Sequence, residues 1–203
     1  MALVISRVLA LLLFSALGII VIKKTKYCRS RKAMLFSFVV SVLLVTLSAL
    51  VPIENIFLKF SNPKNAYNYS NLGQVELIVD GKLSSFVVAK GSNAYNYNFS
   101  IVPKCGNSWK IGSAFDTKII SQRFLDDIVV YIYRYRNSSD YFVSIHNKDC
   151  SELLLEDDRG SKFHTLSSSN SATGETVYTY YAYVNSIDDQ YKVFEKTPDT
   201  PQS

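Results

Sequence analysis

The chain has 203 residues, with 22 basic and 17 acidic side chains and a formal net charge of +5. Divided along the chain, that charge is no sign of a nucleic-acid surface: residues 1–33 hold seven basic residues and no acidic one, and the rest carries 15 basic against 17 acidic. The basic balance therefore reports one local cluster, and a basic groove for DNA or RNA is excluded for the larger part of the protein.

The cluster is Lys23 to Lys32, in which Lys23, Lys24, Lys26, Arg29, Arg31 and Lys32 are six cations in ten residues. It lies between two apolar runs, and such a segment is held on the cytoplasmic side of a membrane. The first run is interrupted by Arg7, leaving Val8 to Ile22, 15 residues, or about 22 Å of helix. That is short for a hydrocarbon core of about 30 Å, but Ala2 to Ile5 supply the missing length when Arg7 reaches the outer interface. A secretory signal peptide cleaved near Ala16 or Gly18 is the rival reading. It is disfavoured because its charge precedes the apolar core, whereas here the charge follows. Ala33 to Val51 is 19 residues without a charge, closed by Pro52, about 28 Å as a helix. Residues 1–53 are thus expected to form a transmembrane hairpin of helices at about 3–22 and 33–51 around a cytoplasmic loop at 23–32. Ser15, Ala16, Gly18, Ser37, Ser41 and Ser48 are small enough for close helix approach. The expected location is the plasma membrane, two-pass, with both termini extracytoplasmic and the lipid bilayer as a partner.

Beyond Pro52 an apolar connector, Ile53 to Phe60, leads to a short helix capped by Ser61 or Asn62, with Pro63 in its first turn and its end near Leu72-Gly73. Gln74 to Asp80 and Leu83 to Lys90 read as a hairpin about Asp80-Gly81. Ala94 to Val102 is a strand with Tyr95, Tyr97, Phe99 and Ile101 on one face. Pro103 to Ser108 reads as a loop, and Trp109 to Ile111 anchors the end of a small α+β unit at 54–112. The pentapeptide Asn-Ala-Tyr-Asn-Tyr at Asn65 and again at Asn93 is a coincidence, since one copy follows a helix cap and the other a turn.

In the second unit, 113–197, Ile128 to Arg136 has apolar bulk on both faces and is expected to be a central strand. Asn137 to Asp140 turns the chain into Tyr141 to Asn147. A short strand and acidic turn follow at Ser151 to Gly160, then Ser161 to Leu166, and Ser167 to Glu175 is a Ser/Gly-rich loop. Thr176 to Asn185 and Tyr191 to Lys196 are the last strands, and residues 198–203 a disordered tail. Short antiparallel strands at this spacing predict a mainly-β exported domain, a β-sandwich with one short helix. From about Lys118 to Glu195, in strand number and in the Leu-Glu-Asp-Asp-Arg-Gly-Ser-Lys-Phe turn, the chain resembles an immunoglobulin or fibronectin type III module. It lacks the Cys, Trp, Cys framework of that family, so the resemblance implies architecture alone. The short basic loop, few cysteines and Lys/Asn/Tyr-rich exported part also resemble small envelope proteins of low-GC Gram-positive bacteria.

Cys105 and Cys150 fall outside the membrane in this topology, where a disulfide between them is permitted, as are two unpaired thiols. Cys28 lies in the basic loop. His146 and His164 show no metal-ligand spacing, and no catalytic or cofactor motif is present. No cofactor and no metal are expected. The carboxylate clusters Asp126-Asp127, Glu156-Asp157-Asp158 and Asp188-Asp189 are the only groups for acid–base chemistry or calcium, and acidic turn tips are ordinarily solvated. Thirteen of the 14 tyrosines follow the second run. Tyr131, Tyr133, Tyr135, Tyr178, Tyr180, Tyr181 and Tyr183 form either sheet core or an aromatic surface for an envelope protein or polysaccharide. The sequence thus predicts a membrane-anchored extracytoplasmic binding or scaffolding module, or an accessory subunit of an envelope complex, and not an enzyme; the alternative is a surface hydrolase using paired carboxylates.

Overall fold

The structure, a computed structural model, describes residues 2–24, 31–50, 52–91, 97–125, 128–147, 149, 151–169 and 174–196. Two helices, α1 (Ala2–Lys24) and α2 (Arg31–Leu50), lie against each other. Small residues set their approach: a Cβ on Gly18 would come within 2.2 Å of Ser37 Oγ, and buried Ser41 donates its hydroxyl to the Ser37 carbonyl at 2.9 Å. Other sides of both helices, including Leu9, Leu12, Leu13, Leu35, Phe36 and Leu43, are exposed. Among the described residues no helix is long and apolar enough to cross a membrane, so the expected transmembrane hairpin at about 3–22 and 33–51 finds no support here. Lys23 and Lys24 close α1, and Arg31 and Lys32 open α2; Lys26, Cys28 and Arg29 lie outside the described residues.

Pro52, which cannot continue the ladder of α2, leads to a 3-10 turn, Ile53–Ile56. Asn55 fixes that turn to the β domain by a reciprocal pair of bonds, Nδ2 donating to the Ile111 carbonyl at 2.9 Å and Oδ1 accepting from Ile111 N at 2.7 Å. Beside it, Arg7 Nε lies 3.8 Å from Glu54 Oε1. The third helix, α3 (Pro63–Ser70), starts as its sequence dictates, with Asn62 Oδ1 accepting from Asn65 N at 2.8 Å and Pro63 in the first turn.

Among the described residues eleven strands follow: β1 (Val75–Asp80), β2 (Ser84–Lys90), β3 (Tyr97–Cys105), β4 (Ser108–Trp109), β5 (Thr117–Leu125), β6 (Ile128–Tyr135), β7 (Tyr141–Asn147), β8 (Leu155–Asp157), β9 (His164–Ser169), β10 (Thr176–Val184) and β11 (Val193–Glu195). All their pairings are antiparallel. They build a four-stranded meander β1-β2-β3-β4, a five-stranded sheet β5-β6-β7-β10-β9 and a ribbon β11-β8.

The burial pattern stacks these parts in layers. On β2, Val87 and Ala89 face α3 with Ala66, Tyr67 and Val102. Phe86 and Val88, one residue out of phase, face the five-stranded sheet and pack with Ile101, Tyr133, Tyr135, Phe142 and Tyr181. On β6, Val130 and Ile132 point the other way, into a core with Ile145, Leu155, Tyr180 and Tyr191 that the ribbon closes. The order is therefore α3, meander, five-stranded sheet, ribbon. Phe86 sits where the two sheets meet, its ring centroid 5.0 to 6.0 Å from those of Phe99, Phe142, Tyr133 and Tyr181. Full burial of one such ring contributes about 1.5–3 kcal/mol.

Several expectations are corrected by this arrangement. The domain is mainly β, of antiparallel sheets packed face to face as expected, but the two layers span both expected units: the long strands of 113–197 all lie in one sheet and the facing layer comes from β1–β3, so 54–112 and 113–197 share a core. The immunoglobulin or fibronectin resemblance over Lys118 to Glu195 is not supported, because that fold distributes its strands between two sheets by Greek-key connections, whereas here five strands of that stretch lie in one sheet and only the ribbon β11-β8 lies outside it. Pro103–Ser108 is no open loop; β3 runs on to Cys105 and pairs with β4 across a tight turn. Ser167–Ser169 likewise belong to β9, where Ser169 pairs with Thr176 and Ser167 with Tyr178. Arg136 is the turn residue after β6, at φ 48°.

Candidate functional site

Of the two places the sequence allows these aromatic residues, sheet core or surface, most are core. Tyr133, Tyr135, Tyr180 and Tyr181 are buried, and Tyr131, Tyr178 and Tyr183 are half-buried. Alternation along the strands divides them: Tyr131, Tyr133, Tyr181 and Tyr183 line the inter-sheet layer, while Tyr178 and Tyr180 line the ribbon side. Burial pushes the Tyr133 hydroxyl up to about 12. Burial, together with the neighbouring Asp140 carboxylate, does the same for Tyr183. Tyr181 is raised further, again chiefly by burial.

The acidic residues act as fasteners. Asp140, fully buried in the turn after β6, accepts from Leu83 N at 2.7 Å, Ser84 Oγ at 3.0 Å, Lys82 N at 3.2 Å and Tyr183 OH at 3.2 Å, so it joins the β1–β2 turn to the second sheet. Asp157 holds the ribbon by accepting from Ser161 N at 2.7 Å and Tyr191 OH at 2.9 Å. Asp116 accepts from Ser113 N at 2.7 Å and from Arg136 Nε at 2.5 Å. Glu156 pairs with Lys196, and Asp188 with Arg159, whose hydrogen bond holds the Asp188 carboxyl below the usual carboxylate range. Asp126 and Asp127 lie outside the described residues.

Among the described residues no group of three or more His, Cys, Asp or Glu side chains could hold a metal. His146 stands edge-on to Tyr131 at 5.5 Å, with burial lowering its pKa. Cys105 carries an exposed free thiol, and its expected partner Cys150 lies outside the described residues.

Among the described residues two concavities stand out. One is an apolar cleft of about 300 Å³ between β6 and β11, lined by Val130, Ile132, Tyr191, Val193 and Phe194 and bounded by Arg123, which donates to the Tyr191 carbonyl at 2.9 Å. The other is polar and runs beside β3. Because β4 is two residues long, it pairs only with Lys104 and Cys105, and the outer edge of β3 toward Tyr97 has no partner strand among the described residues. Two adjoining hollows of about 450 and 370 Å³ follow that edge and share Asn71 and Phe99. The upper one is lined by Tyr67, Tyr97 and Asn98. The lower one reaches Ser100, Ser113 and Thr117 and ends at Arg7 and Pro52, beside the helical hairpin.

The far wall of the lower hollow passes close to β3 at Gly112, where a Cβ would lie 2.4 Å from the Ile101 carbonyl oxygen, so only glycine admits this path. Phe99, 40 % exposed, stacks on Phe86 at 5.0 Å and 15°. The groove thus offers amide and hydroxyl groups around one supported aromatic ring. Sequence reading placed Phe99 and Tyr97 on one strand face, but the meeting of Ser100 with Ser113 and Thr117 has no local signal. No protein-family model, no curated protein and no solved structure matches the chain.

Proposed function

We propose that the protein is a membrane-anchored extracytoplasmic binding module, with the helical hairpin as anchor and the layered β domain as the part that holds a partner in the cell envelope. The observation that carries this reading is the distribution of surface on the hairpin. Its sides expose Leu9, Leu12, Leu13, Leu35, Phe36 and Leu43, its far end holds Lys23, Lys24 and Lys32, and its domain end holds the Arg7–Glu54 pair. From Arg7 to Lys23 a helix rises about 24 Å, and from Lys32 to Leu50 about 27 Å, both short of a hydrocarbon core of about 30 Å and in keeping with the finding that no described helix is by itself long and apolar enough to cross. In this reading Arg7, Lys23, Lys24 and Lys32 reach to the interfaces and make up the length. An apolar surface of this extent is not left in water, and lipid is the medium that covers it on all sides. The uncharged run Ala33 to Val51 in the full sequence supports the same reading.

Binding is favoured over catalysis because Asp116, Asp140 and Asp157 are each engaged by backbone N–H groups, hydroxyls or arginine, Asp188 by Arg159 and Glu156 by Lys196. The polar groove along β3 is the surface assigned to the partner, an envelope protein or polysaccharide. An impermeant maleimide tests the topology on intact cells: it is expected to label Cys105 without permeabilisation and Cys28 only after it. Labelling of Cys28 alone in intact cells overturns the assignment.

A further inference from the structure

We infer that the β3 groove binds the sugar headgroup of a membrane lipid. The inference rests on the anchor reading, because position is its first argument. Arg7 and Pro52 line the lower hollow, and if the hairpin crosses the bilayer these two residues stand at its outer interface, Pro52 two residues beyond the last residue of α2. The lower mouth then opens at headgroup level, and a ligand reaching it from the bilayer passes upward past Thr117, Ser100 and Phe99.

Chemistry is the second argument. Ser100, Ser113 and Thr117 and, in the upper hollow, Asn98 are among the lining residues, and their hydroxyl and amide groups are of the kind suited to the hydroxyls of a saccharide. Phe99 has one ring face backed by Phe86 and is 40 % exposed, a flat platform for the apolar face of a sugar ring. Charge is the third. Arg7 is the only cation lining either hollow among the described residues, and Glu54 lies 3.8 Å from it. A site whose one cation is matched by a carboxylate favours an uncharged headgroup over a phosphate.

The test uses the full chain in nanodiscs of phosphatidylcholine doped with equal fractions of a glycosyl diacylglycerol or of phosphatidylglycerol, with the lipids that stay bound counted by native mass spectrometry. The glycosyl lipid is expected to be retained over phosphatidylglycerol by about tenfold, equivalent to about 1.4 kcal/mol, and Phe99→Ala and Thr117→Val are each expected to abolish most of that preference. Thr117→Val keeps the strand and its volume, so it answers for the groove even where loss of the Phe99 stack weakens the fold. Equal retention of the two lipids, or a preference unchanged in both variants, overturns the inference. A soluble oligosaccharide that displaces the glycosyl lipid at equal concentration assigns the site to free polymer and also overturns it. Failure of the chain to enter nanodiscs at all defeats the anchor reading instead, which separates the two.

Discussion

Replacement of Asp140 by alanine tests whether one carboxylate clasps the two sheets. Asp140 is fully buried and accepts from Leu83 N, Lys82 N, Ser84 Oγ and Tyr183 OH at 2.7 to 3.2 Å. The hydroxyls have other options, since Tyr183 OH also lies 3.2 Å from Asn185 Oδ1. The Leu83 N–H donates to Asp140 at 2.7 Å, while the Lys82 N–H, 3.2 Å from it, also neighbours the Tyr183 hydroxyl. Each bond to a charged acceptor contributes about 1.5–3 kcal/mol, so loss of these two costs at most about 3–6 kcal/mol, a large part of the stability of a domain. At about 2–4 °C per kcal/mol for this size, Tm falls by roughly 10 °C. Urea unfolding of the full chain in mild detergent, followed by the fluorescence of its one tryptophan, Trp109, is expected to show a lower midpoint with an unchanged slope. A second variant sharpens the test: a Cβ on Gly81 would lie 2.7 Å from Asp140 Oδ2 and 2.9 Å from the Ser84 carbonyl. Asp140→Ala relieves only the first contact, so Gly81→Ala and Asp140→Ala are expected to couple by about 0.5–3 kcal/mol. A midpoint shift for Asp140→Ala no larger than that of the surface change Asp158→Ala, or strict additivity in the cycle, refutes the clasp.

Tyrosine titration distinguishes core from surface. For Tyr133 and Tyr183 the folded pKa of about 12 exceeds the unfolded value near 10, so the stability they contribute is whole below pH 10 and is lost as pH rises toward 12. Tyrosinate absorbance is expected to appear for this group together with loss of near-ultraviolet dichroism; full titration near pH 10 in a still-folded protein returns the rings to the surface. His146 has the opposite sign: its folded pKa lies below the ordinary 6.5, so the unfolded chain binds its proton first and stability declines as pH falls below 6.5. His146→Gln is expected to flatten the urea midpoint between neutral and mildly acid pH, and an unchanged profile excludes that histidine as the cause. Tyr191→Phe removes the bond to buried Asp157 at 2.9 Å and is expected to cost about 1–3 kcal/mol; a midpoint equal to wild type means the ribbon is held by packing alone.

The hydrogen bonds of the β domain also bear on how firmly it is tied to the hairpin. Asn55 makes both of its bonds to one residue, Ile111, whose side chain is buried and which immediately precedes Gly112. The connector therefore seats on the same short segment that forms the far wall of the groove. The turn after α2 and the wall of the groove are thus joined by one reciprocal contact, Asn55 with Ile111.

What the amino-acid sequence determined by itself was local. Asn62 and Pro63 start α3, Asp80-Gly81 turns β1 into β2, and the two apolar faces of Ile128 to Tyr135 announce a strand covered on both sides. Each of these depends on neighbours within a few residues, which the chain order states directly. Tertiary structure alone decided which layer each face meets. A period of two says that Tyr131 and Tyr133 point away from Val130 and Ile132, but it does not say whether water, a ribbon or another sheet lies beyond. The pentapeptide at Asn65 lies in α3, while Tyr97, the last residue of its second copy, opens β3. Ser167–Ser169 become strand because Thr176–Tyr178 offer an edge to pair with. The groove is the extreme case: its walls come from α1, α3, β3 and β5, and they meet only because the burial of every sheet face at once admits one stacking order.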